Sequence, residues 1–304
     1  MKINKAAFLA FKLAVSGLSL YLVFSKAGPA EILAMMKRIG PLYFLGACLI
    51  YLTAQGVSTL RWKLLLPEKF TFKKLFSLYM IGAFFNSFLP GLIGGDVVKA
   101  YYLNKDARKL SLTLASIFMD RYFGYAALMF IGTLAFPFAL GYFKGAVYQW
   151  IMPLIVCAFI VGSFLFFGLQ LGRRFRTVSE FYEYFASLKS RKDVIVKAFL
   201  LSLCIQLLGF MGVALLASAL GEDIPILLLF VFLPIIITIT TVPISISGLG
   251  VREGAFVVLL GLIGIKPELA TSLSLSWFFS SFVGSIPGLA VYVRYTGGMR
   301  NVQP

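Results

Sequence analysis

Long stretches of apolar residues constrain the fold of this chain more than any other feature. Six of them reach about the 20 residues that an α-helix needs to cross a bilayer. They lie at 7–25, 41–60, 110–140, 148–171, 194–219 and 268–293. Since 60% of the 304 residues are apolar and only 13% are charged, a water-soluble fold could not bury this surface. The sequence predicts an all-α polytopic membrane protein: one integral membrane domain, 1–304, with approximate halves 1–145 and 146–304.

Two further apolar stretches, 75–89 and 225–242, each end at a proline and a glycine-rich turn. The first runs into PGLIGGDVVKAYYL at 90–103 and the second into PISISGLGVREGAFVV at 243–258. Non-helical backbone at membrane depth is tolerated where protein buries it or where it lines a wet cavity. Paired interruptions in corresponding halves are typical of a transporter's binding site. We therefore expect two re-entrant broken-helix hairpins in an inverted repeat beside about six full crossings; simple kinks are the alternative.

The turn of each hairpin is expected to use small residues and prolines. These are Pro90, Gly91, Gly94, Gly95, Pro243, Ser245, Ser247, Gly248 and Gly250. The helices that resume near Asp96 and Val251 would direct N-terminal amides, which carry partial positive charge, toward an anion such as phosphate.

Charged residues within or beside the apolar stretches are the candidate transport residues, because an ionisable side chain in a membrane is costly. They are Asp96, Lys99, Asp120, Arg121, Arg252 and Glu253. We expect Arg121 to contact Asp96 or a lipid phosphate, which its planar guanidinium suits, and Asp120 to contact Arg252. A structural ion network is the alternative for this group. Helix capping would explain Glu253, and snorkelling to the interface would explain Lys99.

The distribution of basic residues predicts the orientation. With the N-terminus inside, nineteen Lys and Arg fall in cytoplasmic segments and five outside. This count places Arg61 in a basic cytoplasmic loop that follows the predicted span 41–60. The N-terminal stretch resembles a signal peptide, but Lys12 interrupts its apolar core, so we expect it to remain as the first span. Both termini are then cytoplasmic.

The residue inventory excludes several classes of function. The chain has no His, which removes His-based catalysis and His-ligated metal. It has no P-loop, and Cys48, Cys157 and Cys204 lack metal-ligand spacing. No cofactor or metal is expected, and the net charge of +16 is assigned to membrane orientation and anionic lipids rather than nucleic acid.

Three segments carry a family resemblance: FNSFLPGLIGGDVVKAYYL at 85–103, DRYFGY at 120–125 and PISISGLGVREGAF at 243–256. Together they resemble the flippase-like family, the membrane region of lysylphosphatidylglycerol synthases, over nearly the whole chain. The resemblance implies movement of a lipid between leaflets and a bacterial or archaeal plasma membrane. It marks Gly94, Gly95, Asp96, Asp120, Arg121, Gly248, Gly250, Arg252 and Glu253.

The function predicted from these features is a lipid flippase or transporter that moves an anionic or phosphate-bearing lipid through a polar cavity at the membrane midplane. The alternatives are a membrane-embedded transferase or phosphatase acting on a lipid carrier, with Mg²⁺ held by Asp96, Asp120 and Glu253, and a non-catalytic scaffold subunit. The sequence leaves the oligomeric state open.

Overall fold

A computed structural model describes residues 5–26, 28–88, 94–107, 110–143, 147–170, 173–242, 245 and 248–300. The long elements in these ranges are twelve α-helices. Their bounds are α1 Lys5–Lys26, α2 Pro29–Arg38, α3 Pro41–Leu65, α4 Phe72–Phe88, α5 Gly94–Ala107, α6 Leu110–Ala139, α7 Ile151–Ser163, α8 Arg176–Lys189, α9 Lys192–Ala219, α10 Ile226–Thr241, α11 Val251–Gly261 and α12 Pro267–Arg300.

Five helical stretches of the described chain are long and apolar enough to cross a bilayer. They are Pro41–Leu65, Leu110–Phe143, Val147–Gly168, Lys192–Ala219 and Pro267–Arg294. A sixth span arises only if Leu13–Ser25 and Pro29–Arg38, whose axes differ by 82°, count as one bent crossing. The prediction of an all-α polytopic membrane protein is therefore confirmed.

The helix α3 lies antiparallel to α9. A Cβ atom built on Gly46 would lie 3.0 Å from Leu215, and one built on Gly212 would lie 3.7 Å from Ile50. Farther along α3, Arg61 bonds Ser202. As the position in α3 rises, the partner position in α9 falls. The long helix that precedes the interruption in one half thus runs antiparallel to the long helix that precedes the interruption in the other half.

Both predicted interruptions separate helices too short to cross a bilayer alone. In the first half α4 has 17 residues and α5 has 14. In the second half α10 has 16 residues and α11 has 11. The two helices of each pair contact each other, and α4 approaches α5 closely because Gly82 and Gly95 face each other without side chains.

The long helix after each pair packs against the first helix of the other pair. In this way α6 contacts α10, and α12 contacts α4. Glycines lie at both contacts: Gly132 fits against Pro234, and Gly288 fits against the backbone of Met80. The helices α6 and α12 also contact α9 and α3, respectively. The packing of one half thus has a counterpart in the other.

The segment 172–193, predicted as a basic polar connection, contains the helix α8. Its apolar face packs on α6, and the Tyr184 hydroxyl donates to the Leu65 carbonyl at 2.6 Å. Before it, the predicted span 148–171 ends in a π-helical turn, Phe164–Gly168. A hydroxyl of Tyr182 on α8 donates to the Phe166 carbonyl in that turn.

Candidate functional site

Two buried groups of charged residues lie beside the helix interruptions. The first cluster is formed by Arg61, Tyr79, Asp96, Lys99, Asp120 and Arg121. The second cluster is formed by Gly250, Arg252, Glu253, Ser274 and Phe278. They bring together all six predicted charged residues, but as two separate networks of contacts.

Within the first cluster, Asp120 is fully buried and its two oxygens bond different helices. Arg61 Nε on α3 donates to Oδ1 at 2.7 Å, and the Tyr79 hydroxyl on α4 donates to Oδ2 at 2.9 Å. Arg61 Nη1 also donates to the Ser202 hydroxyl on α9 at 2.8 Å. Gly124 makes room for this guanidinium, because a Cβ there would lie 3.1 Å from it. The pair therefore connects helices of both halves.

The other carboxylate of the first cluster, Asp96, is shared by two cations. Lys99 Nζ lies 2.9 Å from its Oδ1. Arg121 donates through Nε to Oδ2 at 2.8 Å and through Nη2 to Oδ1 at 3.2 Å, a two-oxygen contact. The side chain of Arg121 is 45% exposed, whereas Asp96 is 11% and Lys99 2% exposed. Of these three groups, Arg121 is the most exposed.

Aromatic rings enclose the ammonium group of Lys99. Its Nζ lies 4.1 Å from the centroid of the Tyr79 ring and 5.1 Å from that of Trp62. Cations bind the faces of such rings favourably, most strongly where water is excluded. Tyr79 thus contacts two of the three ion pairs of the first cluster, through its hydroxyl at Asp120 and its ring at Lys99.

The start of α5 brings Asp96 to this position. Gly95 contacts Gly82 so closely that a Cβ would overlap the Gly82 carbonyl. The Gly95 N–H donates to the Asn86 side-chain oxygen at 2.8 Å, which supplies a partner for one amide of the new helix. Asp96 then occupies the first turn, where the helix dipole favours a carboxylate.

The second cluster is a closed network around Glu253, whose side chain is fully buried. Arg252 Nη2 and the Ser274 hydroxyl donate to Oε1 at 2.8 and 2.9 Å, and the Gly250 N–H donates to Oε2 at 2.6 Å. The guanidinium of Arg252 lies 4.8 Å from the Phe278 ring centroid, and its side chain is 11% exposed. Glu253 therefore both caps α11 and neutralises Arg252.

Two glycines shape the turn before α11. Gly248 and Gly250 have φ angles of 78° and 82°, in the left-handed region that favours glycine. A Cβ on Gly250 would lie 2.6 Å from Ser19 of α1, so the lack of a side chain at Gly250 lets α1 pack against this turn. Ser245 is buried in the same turn. Pro90, Gly91, Pro243 and Ser247 lie outside the described residues.

The structure confirms one predicted pairing and corrects two interpretations. Arg121 bonds Asp96, as predicted. Asp120 bonds Arg61 rather than Arg252, and Arg252 bonds the adjacent Glu253, so the predicted Asp120–Arg252 pair was wrong. Lys99 does not snorkel, because its ammonium is buried against Asp96 and two rings.

Sequence reasoning missed the role of Arg61, which it placed in a basic loop. The helix α3 continues to Leu65, and Arg61 is buried. The buried positions Ser58, Arg61, Trp62 and Leu65 follow the i, i+3, i+4, i+7 spacing of one helix face. That spacing, together with an Asp inside the membrane that needs a cation, is the signal that could have identified it.

The chemistry available to the two clusters is ion pairing. Among the described side chains, the first cluster has three cations and two carboxylates, whereas the second has one of each. Asp96, Asp120 and Glu253 each bond Lys or Arg, and no three metal-ligating side chains of the described residues converge on a common point. The described side chains of the first cluster thus include one more cation than carboxylates, and Arg121 is the most exposed of these cations.

Comparison with known proteins gives a family match and distant relatives. The family described as "Lysylphosphatidylglycerol synthase TM region" matches residues 9–288. A UPF0104 membrane protein of Methanothermobacter thermautotrophicus is 24% identical over 281 aligned positions, covering 81% of this chain and 82% of that protein. Another, from Methanocaldococcus jannaschii, is 21% identical over 327 positions, covering 96% and 95%. No solved structure matches the chain significantly.

Proposed function

Because this chain belongs to the family of the lysylphosphatidylglycerol synthase transmembrane region, we propose that it moves an anionic or phosphate-bearing lipid between membrane leaflets. Its partners are then membrane lipids, and its role is transport rather than catalysis. The observation that carries the proposal is the first cluster. Its described side chains have more cations than carboxylates, and one of the cations, Arg121, is half-exposed. An arginine fork binds two oxygens of a phosphate at once.

The proposal includes two re-entrant hairpins, α4–α5 and α10–α11, in halves of inverted topology. The antiparallel packing of α3 against α9 supports it, since an inverted repeat places equivalent helices in opposite directions. The reciprocal contacts of α6 with α10 and of α12 with α4 support it further. Each pair is also too short for two crossings.

In this mechanism the lipid headgroup enters between the halves while the tails remain in the bilayer. Arg121 and the start of α5 would neutralise the phosphate. The second cluster, with Arg252 closed on Glu253, would open when one half rocks against the other. The family resemblance supports a location in the plasma membrane, and the excess of basic residues in the predicted inner loops supports cytoplasmic termini.

The test reconstitutes the purified full chain in liposomes that contain fluorescent-tailed phosphatidylglycerol. Dithionite, added outside, removes about half of the fluorescence in protein-free liposomes because the inner leaflet is protected. We expect the protein to expose most of the remainder. If no lipid moves and mass spectrometry detects a modified lipid, the chain is an enzyme; if the lipid neither moves nor changes, the scaffold alternative replaces the proposal.

A further inference from the structure

Among the described side chains, the excess positive charge of the first cluster lies in the trio of Asp96, Lys99 and Arg121. Arg61 is balanced by Asp120, and both are buried. The remaining carboxylate, Asp96, faces both Lys99 and Arg121. Among the described side chains two cations thus share one carboxylate, and one further negative charge near this trio would be stabilising.

Only one member of the trio is placed to meet that charge. Lys99 is 2% exposed and enclosed by the rings of Tyr79 and Trp62. Arg121 is 45% exposed. Its Nε and Nη2 already hold the two oxygens of Asp96, the same geometry in which a guanidinium holds two oxygens of a phosphate. Asp96 therefore occupies the edge of Arg121 on which a phosphate would bind.

We propose that Asp96 is a resident competitor of the transported lipid: a singly charged phosphodiester headgroup displaces the Asp96 carboxylate from Arg121, and Lys99 retains it. Lys99 is already 2.9 Å from Asp96, and the first turn of α5 stabilises the carboxylate whichever cation it bonds. When the headgroup leaves, Asp96 returns to Arg121. This exchange rests on the proposed function and adds to it a means of release.

The second cluster has the same ion types but lacks this arrangement. Arg252 and Glu253 balance each other, and Glu253 is fully buried with both oxygens bonded. We therefore assign headgroup binding in this conformation to the first cluster.

If Asp96 competes with the lipid, removing its charge should raise the affinity for the lipid, whereas damage to a binding site lowers it. Replacing Asp96→Asn removes the competing charge, so dioctanoylphosphatidylglycerol should bind about tenfold more tightly, the scale of one like-charge interaction in a partly buried site. The variant should move the lipid more slowly in the liposome assay, because no carboxylate returns to Arg121 to displace the headgroup. Lys99→Gln should weaken binding, since it leaves Asp96 with Arg121 alone.

Isothermal titration calorimetry of the full chain in neutral detergent measures both variants. The matched control is Asp193→Asn, an exposed first-turn aspartate of α9 that lies 3.7 Å from Lys197; it should leave affinity unchanged. Equal or weaker binding by folded Asp96→Asn overturns the exchange, as does unchanged or tighter binding by Lys99→Gln. Inorganic phosphate should bind far more weakly than the lipid, and equal binding would overturn the assignment to a lipid headgroup.

Failure of this inference is distinguishable from failure of the proposed function. If the wild-type chain binds and moves phosphatidylglycerol but Asp96→Asn does not tighten binding, only the exchange is wrong. If the wild-type chain neither binds nor moves the lipid, the proposed function is wrong and the exchange with it.

Discussion

Arg61 on α3 and Asp120 on α6 form a buried ion pair with a separation of 2.7 Å. The Ser202 hydroxyl on α9 bonds the same guanidinium, so three long helices meet at one charge pair. Asp120 also accepts the Tyr79 hydroxyl, which leaves both of its oxygens bonded. Both members are buried, so in this conformation the pair joins the helices beside the more exposed Arg121.

We expect Asp120→Asn to destabilise the protein by about 3–5 kcal/mol, because it leaves Arg61 buried without a counter-charge. Thermal unfolding in detergent measures the loss. The double variant Arg61→Met with Asp120→Leu should recover much of it, since apolar replacement of both ions removes the desolvation cost. A single variant as stable as wild type would contradict the structural role of the pair.

A second prediction concerns the contact between α4 and α5. Gly95→Ala should cost about 1–3 kcal/mol, the usual range for overpacking, because its Cβ would overlap the Gly82 carbonyl. Gly254→Ala is the matched control: it lies near the start of α11, and nothing is within 4 Å of its Cβ position. Chemical or thermal unfolding of both variants should separate them. Equal stability of the two would mean that the close approach of α4 and α5 is wrong.

The hydroxyl of Ser274 should matter for stability because it donates to the buried carboxylate of Glu253. Ser274→Ala is expected to cost about 1.5–3 kcal/mol, the range for hydrogen bonds to charged groups. Ser281→Ala, on the same helix, removes a hydroxyl that donates to the Trp277 backbone carbonyl and should have a smaller effect. Comparable losses in the two unfolding midpoints would argue against a closed second cluster.

The antiparallel packing of α3 and α9 can be tested by cross-linking in a variant without the native cysteines. Ile50→Cys with Gly212→Cys should form a disulfide on mild oxidation, because these positions are in contact. Ile50→Cys with Ser202→Cys should not, since ten helical residues, about 15 Å, separate Ser202 from Gly212. Gel mobility with and without reductant gives the result. The reverse pattern would exclude this packing and weaken the case for inverted halves.

Much of the helical architecture could be predicted from the sequence, for a physical reason. Apolar runs of bilayer length have few alternatives to helix, so the predicted 110–140, 194–219 and 268–293 agree closely with α6, α9 and α12. The interruptions were predictable because several glycines follow the proline at each of them, whereas Pro137, Pro234 and Pro287 lie inside helices. The helix α8 was not predicted, because the many charged residues of 172–193 give the segment a low hydropathy although one face of the helix is apolar.

The partners of the charged residues were less predictable. The sequence restricts Asp120 to a partner on another helix but does not say which helix lies beside it. Arg61 follows the apolar run of α3 and was therefore placed in a loop, although it faces the interior. The pairing of Arg121 with Asp96 was predictable because a charge in a membrane helix needs an opposite charge as partner.

Arg121→Gln tests the central claim most directly, since it removes the guanidinium but keeps a polar side chain. In liposomes that contain fluorescent-tailed phosphatidylglycerol, we expect this variant to leave the inner leaflet protected from dithionite, as in protein-free liposomes. Arg173→Gln, at an exposed arginine, should retain wild-type transport. Wild-type rates for Arg121→Gln in a folded, reconstituted protein would contradict the claim that Arg121 binds the lipid headgroup.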